Sequence, residues 1–434
     1  MPTVVSASAF RDMVDAARRG ERSFTVVDTR PTDDFESWRI ADSINYVYKP
    51  FHEFDLDAFE RETGLSASDT VVTTCAKGKA SLDLAAELEA AGYDEVVAID
   101  DGMRGWSAVY DRVRVPLPDA GDDPLDVVQI QRRAKGCLGY LVVGGRETPD
   151  DSRVAVAIDV SRHGEEWRAA AAAHDAEIAA VLDTHVHADH LSGGRALADE
   201  LDVPYVLPAA AADRDVAYTF EPLDRNETLD VGGVDVKALA TPGHTDDMAS
   251  YLVGRSAVLT GDTLFTDSVG RTELQFAAGG EGETTGETGT EEAADVGAAD
   301  PEATDPETAG AREGAERLYD SLHGTLLAEP DDAVVLPGHF SVANDGTTGD
   351  VTPGEPVATT VGEARTGIDV LDRDRASFVE RITATLPEKP PNYESVIAAN
   401  RGVESPPDEV SAIELELGPN RCAAETGPEA GADD

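Results

Sequence analysis

The sequence predicts an α/β protein built as more than one unit, and three observations carry that expectation. The 434 residues are enough for two or more hydrophobic cores. From Phe24 onward short apolar strands alternate with helical patterns. Two breaks in composition then interrupt the alternation. Taken in order, Met1 to Gly20 reads as an amphipathic helix carrying Arg11, Asp12 and Asp15. Phe24 to Val27, Thr70 to Thr73 and Glu95 to Ile99 read as strands, with a helix over Ser81 to Ala91, so residues 1–115 form a first α/β unit with a mostly parallel sheet. The Pro-, Gly- and Asp-rich stretch 116–125 reads as a linker. A second unit spans residues 126–402, with strands at Val154 to Ile158 and Ile178 to Leu182 and a helix opened by Gly193-Gly194. Within it, residues 278–310 repeat Gly, Glu, Thr and Ala with almost no large apolar side chain, which predicts a disordered acidic insertion. Helical and strand patterns resume at Ala315 to Leu327 and Ala333 to Leu336, and residues 403–434 read as a mobile polar tail.

Composition excludes several classes of function. A net charge of −51, from 86 acids against 35 bases, repels nucleic acid and anionic membranes, and no 18-residue apolar run exists to cross a bilayer. Only six bases are lysine; this imbalance resembles adaptation to a high-salt cytoplasm, where charges are screened within roughly 3 Å at 1 M. Cys75, Cys137 and Cys422 are odd in number and far apart, which argues for a reducing compartment over a disulfide framework. The expected location is the cytoplasm, and a homodimer is compatible with this composition.

Four ligand-type signatures follow one another along the second unit: His185-Val186-His187-Ala188-Asp189-His190, His244 in Thr-Pro-Gly-His-Thr, Asp262 in Thr-Gly-Asp-Thr, and His339 in Pro-Gly-His. Five of nine histidines lie in them. Imidazoles and carboxylates at this density suit a first-row metal and are costly to bury without one. Any one of these turns alone reads equally well as a capped turn, but four in this order predict a metal site. His187, Asp189 and His190, leaving the strand at Leu182, are either ligands or residues that orient ligands.

In the first unit, Cys75 follows a strand directly and precedes a helix, in Cys75-Ala76-Lys77-Gly78-Lys79-Ala80-Ser81. Lys77 and Lys79 are two of the six lysines in the chain. Loop N–H groups, the positive end of the helix and two cations all favour a thiolate, which is the nucleophilic form.

These residues carry two family resemblances. Val27-Asp28-Thr29-Arg30, the Cys75 loop and Asp101-Gly102-Met103-Arg104-Gly105-Trp106 resemble the rhodanese sulfurtransferases over residues 1–115. That resemblance implies that Cys75 carries a sulfane sulfur as a persulfide, with Lys77 and Lys79 attracting an anionic donor such as thiosulfate. Residues 126–402 resemble the metallo-β-lactamase fold, an αββα sandwich, with Asp159 after Val154 to Ile158 as its early acid. Gly270-Arg271-Thr272, Thr360-Val361-Gly362-Glu363, Pro390-Pro391-Asn392-Tyr393 and Asn400-Arg401-Gly402 are most similar to the persulfide dioxygenases, relatives of glyoxalase II. The resemblance implies one Fe(II) per chain held by His185, His244 and Asp262, with His187, Asp189, His190 and His339 orienting the ligands and Arg271 clamping a carboxylate of the thiol carrier. Two departures stand out: Asp246-Asp247 after His244-Thr245, and Phe340-Ser341 after His339.

The expected activity is therefore oxidation of a small thiol persulfide by O2 to sulfite and thiol, coupled to sulfur transfer among persulfide, sulfite and thiosulfate through Cys75. Two rivals stand beside it. One is a thioester hydrolase of the glyoxalase II type, in which two zinc ions or mixed metals are bound by all seven motif residues. The other is a non-catalytic sulfur carrier or sensor whose metal is structural.

Overall fold

The computed structural model describes residues 2–118, 125–145, 153–274, 306–384 and 389–424. Its first unit is a five-stranded, all-parallel sheet in the order Thr3–Val5, Glu95–Ile99, Thr70–Thr74, Thr25–Asp28, Ile44–Asn45. Val72, Val97 and Ile99 bury one face of this sheet against Phe10 and Trp106, while Val71, Val96 and Ala98 bury the other with Leu84 and Leu88. This is the alternation that a sheet covered on both faces requires. The opening segment differs from the expected continuous helix. Thr3–Val5 is an edge strand, and the helix Ala7–Arg18 starts only where the Ser6 hydroxyl accepts the Ala9 N–H.

The second unit has two packed sheets. One has seven strands, in the order Glu221–Leu223, Tyr205–Pro208, Ala176–Leu182, Arg153–Ile158, Cys137–Gly144, Asp126–Arg132, Tyr110–Val115. The other has six, in the order Thr228–Val231, Val234–Ala240, Ala249–Val253, Ala257–Gly261, Val334–Pro337, Thr359–Thr360. Leu138, Tyr140 and Val142 point inward to meet Val236, Tyr251 and Leu259 of the facing sheet. Leu141 and Val143, one residue out of phase, meet Trp167 and Leu197 of the outer helices. Leu318, Leu322 and Phe378 cover the far face of the six-stranded sheet. The helix–sheet–sheet–helix sandwich follows from that period of two.

Three expected boundaries move. Tyr110–Val115, placed in the first unit by sequence, pairs antiparallel with Asp126–Arg132 and belongs to the seven-stranded sheet. Of the expected insertion 278–310, residues 278–305 lie outside the described residues, whereas Pro306 already opens the helix Pro306–Gly324. Small residues there permit close approach: a β-carbon at Gly314 would lie 2.6 Å from the Thr272 carbonyl oxygen. The expected linker 116–125 and tail 403–434 fall partly outside the described residues. Far from being a mobile tail, residues 403–424 carry the helix Glu409–Leu415 and bury Glu416 and Cys422. The cause is charge pairing, because Glu416 lies between Arg132 and Arg162 in the body of the fold. No helix among the described residues is long and apolar enough to cross a membrane.

Candidate active site

The ligand-type residues all leave one edge of the sandwich. Asp159 follows the strand Arg153–Ile158, the His185–His190 loop follows Ala176–Leu182, His244 follows Val234–Ala240, Asp262 follows Ala257–Gly261, and His339 follows Val334–Pro337. Strands running in the same sense therefore deliver residues more than 150 positions apart to one place. Two backbone features make room for them. A β-carbon at Gly338 would stand 2.5 Å from Asp262 Oδ1. Asp159 adopts φ +49°, a left-handed conformation that aspartate tolerates, and this aims its carboxylate at the Thr184 N–H, 2.7 Å away.

His185, His244 and Asp262 come together as one buried group whose ligand atoms lie within 4.8 Å of one another. Each is fixed from behind. The Thr184 hydroxyl, engaged with Asp159, lies 3.0 Å from His185 Nδ1, and the Arg271 carbonyl accepts from His244 Nδ1 at 2.8 Å. Asp262 Oδ1 lies 2.6 Å from His339 Nδ1. A carbonyl only accepts, so His244 donates from Nδ1 and turns Nε2 towards Asp262. The three remaining atoms, His185 Nε2, His244 Nε2 and Asp262 Oδ2, are buried without a hydrogen-bond partner, and both imidazole nitrogens face the same oxygen, at 3.9 and 3.4 Å. Burial, reinforced by His187, drives the His185 imidazole well below its usual pKa and keeps it neutral. Two imidazoles and a carboxylate, each with one unsatisfied atom turned to a common point, fit a divalent metal ion.

The other motif residues pair among themselves. His339 Nε2 lies 2.8 Å from Asp189 Oδ2, and His190 Nδ1 lies 3.0 Å from Asp189 Oδ1. Both ring nitrogens of His339 thus face carboxylates, which hold it protonated well above its usual range against the opposing effect of burial. His187 Nε2 lies 3.2 Å from Asp159 Oδ1. Arg271, expected to clamp a carboxylate of the thiol carrier, has its guanidinium buried against Glu273 and the Arg421 carbonyl, and its backbone oxygen orients His244.

Several neighbours went unassigned in the sequence. Cys137 Sγ lies 3.4 Å from Asp189 Oδ2, and Cys422 joins Asp189, Asp262 and His339 in one cluster. Asn400 donates to the carbonyls of His187 and His190 at 2.9 and 2.8 Å, and Asp247 accepts the Val186 N–H at 2.7 Å. Of the acidic pair after His244-Thr245, Asp247 thus pins the histidine loop, while Asp246 pairs with Arg317. Only the Asn-Arg-Gly and Asp-Asp signatures marked these positions beforehand, and neither states a contact.

The second centre is local. Cys75 follows the strand Thr70–Thr74 directly and is buried, its sulfur 3.4 Å from the hydroxyl of Ser81 in the helix Lys79–Ala90. Gly78 turns the loop at φ +76°, where a β-carbon would meet the Asp101 N–H nitrogen at 2.8 Å. Lys77 and Lys79 are exposed. Met103 N–H donates to the Cys75 carbonyl at 2.8 Å, which ties the loop to the helix Gly102–Ser107 and to Arg104.

Comparison with known proteins adds the following. Residues 6–109 match the rhodanese-like domain and residues 153–339 the metallo-beta-lactamase superfamily. A hydroxyacylglutathione hydrolase of Acidiphilium cryptum is 40% identical over 102 residues, covering 23% of this chain and 42% of that protein. A Mycobacterium tuberculosis protein described as uncharacterized is 36% identical over 192 residues, 37% of this chain and 68% of its own length. ETHE1 from Myxococcus xanthus aligns with a TM-score of 0.46 and 26% identity, covering 63% of this chain and 97% of that one. The chain spans between 37% and 56% of the length of the first four curated relatives it matches.

Proposed function

We propose, starting from a chain that belongs to the metallo-beta-lactamase superfamily and carries a rhodanese-like domain ahead of it, that it oxidises a low-molecular-weight thiol persulfide at His185, His244 and Asp262 and transfers sulfane sulfur through Cys75. The observation that carries this reading is the set of three orphaned buried atoms, two imidazole and one carboxylate, aimed at one point. Two histidines and one carboxylate are the ligand set of non-haem iron(II) oxygenases. Iron(II) bound there supplies open coordination positions for a persulfide sulfur and for O2.

The protein's own part is orientation and exclusion of water. Thr184 and the Arg271 carbonyl fix the two imidazoles, and His339 fixes Asp262 through the oxygen that faces away from the other two ligands. Overall, RSSH, O2 and H2O give RSH and sulfurous acid, so the sulfur is oxidised, O2 is reduced and the thiol is returned. At Cys75 no net oxidation occurs: a thiolate attacks the sulfane sulfur of a donor, and the donor leaves with the S–S electron pair.

A second reading is a dinuclear thioester hydrolase, favoured by the similarity to a protein named hydroxyacylglutathione hydrolase and by the Asp159, Asp183 and His187 cluster next to the triad. Metal analysis of protein purified without air, combined with O2 uptake on adding a thiol persulfide, decides between them. About one iron per chain with persulfide-dependent uptake supports oxidation. Two tightly bound zinc ions with thioester hydrolysis and no uptake overturn it.

A further inference from the structure

We infer that Lys77 and Arg104 form a seat for the anionic sulfur donor at Cys75, and that Glu414 is a built-in anion which occupies this seat and must be displaced. The inference rests on the reading of Cys75 as the sulfur acceptor and specifies how that centre selects and admits its donor. Arg104 Nη2 donates to Glu414 Oε1 at 2.6 Å, and Lys77 Nζ lies 4.0 Å from the same oxygen. One carboxylate oxygen therefore marks the point on which two cations from separate elements converge. Both cations are fixed to the reactive loop: Lys77 is in it, and the Arg104 N–H donates to the Ala76 carbonyl at 3.4 Å. In a chain with a net charge of −51, two cations held on or against the loop that carries the nucleophile are a marked departure from the surroundings.

The partners in this contact are unequal. The Arg104 side chain is 9% exposed and the Glu414 side chain 54% exposed, so the cation is embedded while the anion is the replaceable member. The element that carries Glu414 is also weakly held. The helix Glu409–Leu415 has no buried residue and touches the body through polar contacts, Arg162 to Glu409 and the Asn392 side chain to the Leu415 carbonyl among them. Segments with few buried apolar contacts open most readily. Just beyond it the chain is firmly anchored. The carboxylate of Glu416 is fully buried between Arg132 and Arg162 and accepts the Leu191 N–H at 2.8 Å. The helix can therefore swing away while residues from 416 onward stay in place.

The donor that fits is a small oxyanion bearing a sulfane sulfur, of the thiosulfate kind. The Cys75 thiolate attacks its outer sulfur, the S–S bond of the donor breaks, and sulfite leaves with the electron pair, so Cys-S⁻ and S2O3²⁻ give Cys-S-S⁻ and SO3²⁻.

Alkylation of Cys75 tests the seat without relying on catalysis. In the full-length protein at fixed salt, peptide mass spectrometry gives the rate of Cys75 modification by iodoacetate, an anion, relative to iodoacetamide, its neutral counterpart. Glu414→Gln should raise that ratio about two- to fivefold, the size of one partly screened contact charge, and Arg104→Gln should lower it. The KM for thiosulfate in sulfur transfer should move in the opposite direction to the ratio in each variant. Equal acceleration of both reagents in Glu414→Gln would mean that the helix only shields the thiol, and the seat would be rejected. An unchanged ratio in Glu414→Gln rejects it as well, whatever the folding of the Arg104 variant. A shifted ratio in protein that forms no Cys75 persulfide from thiosulfate would keep the seat and remove the sulfur-acceptor reading instead.

Discussion

The metal centre and the Cys75 loop solve opposite problems of assembly. Three ligands at positions 185, 244 and 262 reach one point because parallel strand ends deliver them there; His244 and Asp262 are braced by hydrogen bonds from other segments, and His185 by its neighbour Thr184, itself held by Asp159. Cys75, its flanking cations and the helix that follows lie within the one stretch Cys75 to Ala90, and a single glycine turn shapes the loop. A cofactor site must hold several donors rigidly, which takes a whole sandwich, whereas a nucleophile needs one side chain and a local field. The comparison predicts that the two centres fail independently.

The largest effect should come from the triad. His185→Ala, His244→Ala and Asp262→Ala should each lose bound iron and persulfide-dependent O2 uptake altogether, since one of three protein ligands is gone, while sulfur transfer from thiosulfate to cyanide continues. Iron content and the two assays on the same preparations check this. Loss of sulfur transfer in an otherwise folded triad variant would show that the centres are not separable.

Cys75→Ser is the reciprocal break. It should abolish sulfur transfer, because a hydroxyl cannot carry a sulfane sulfur, and leave oxidation of added persulfide largely intact. Two O2 traces, one started with persulfide and one with thiosulfate plus thiol, make the measurement. If both fall equally in iron-loaded protein, Cys75 takes part in the oxidation itself.

Glu416 anchors the C-terminal strap beneath the histidine loop, and its loss should be felt in stability. Burial alone would raise its pKa, but Arg132 and Arg162 overcome that and hold it at about 2, below the ordinary 4.5. Stability from a depressed carboxylate is present above the ordinary value and is lost as pH falls through the folded one. Glu416→Gln should cost about 3–5 kcal/mol near neutrality, the cost of leaving buried charges unpaired. The gap between wild type and variant in chemical denaturation should narrow from about pH 4.5 downward. A gap that stays constant to pH 3 would mean that the carboxylate charge is not what anchors the strap.

The smallest effect should be the salt response. With a net charge of −51, the fold should melt at lower temperature in 0.1 M than in 1 M KCl, as the screening length grows from roughly 3 to 10 Å. Equal melting temperatures would remove the proposal of adaptation to high salt. The centre held by long-range bracing should lose function before the local one as salt is withdrawn, which sharpens the same contrast.

What could be read beforehand divides along the same line. The alternation that buries Leu138, Tyr140 and Val142 on one face and Leu141 and Val143 on the other is written in the chain, as are the strand–Cys75–helix order and the turn motifs at His185, His244, Asp262 and His339. Period and turn chemistry are local properties, so the sequence determines them alone. Only the tertiary structure decided that Arg271 faces Glu273, that Cys137 and Cys422 stand beside the ligand cluster, and that Tyr110–Val115 belongs to the second unit. It also turned a polar tail into a strap, with Glu414 on the Cys75 loop and Glu416 beneath the histidine loop. Those outcomes depend on which distant charge a buried or half-buried group meets, 310 residues away in the case of Arg104 and Glu414, and no local pattern specifies that partner.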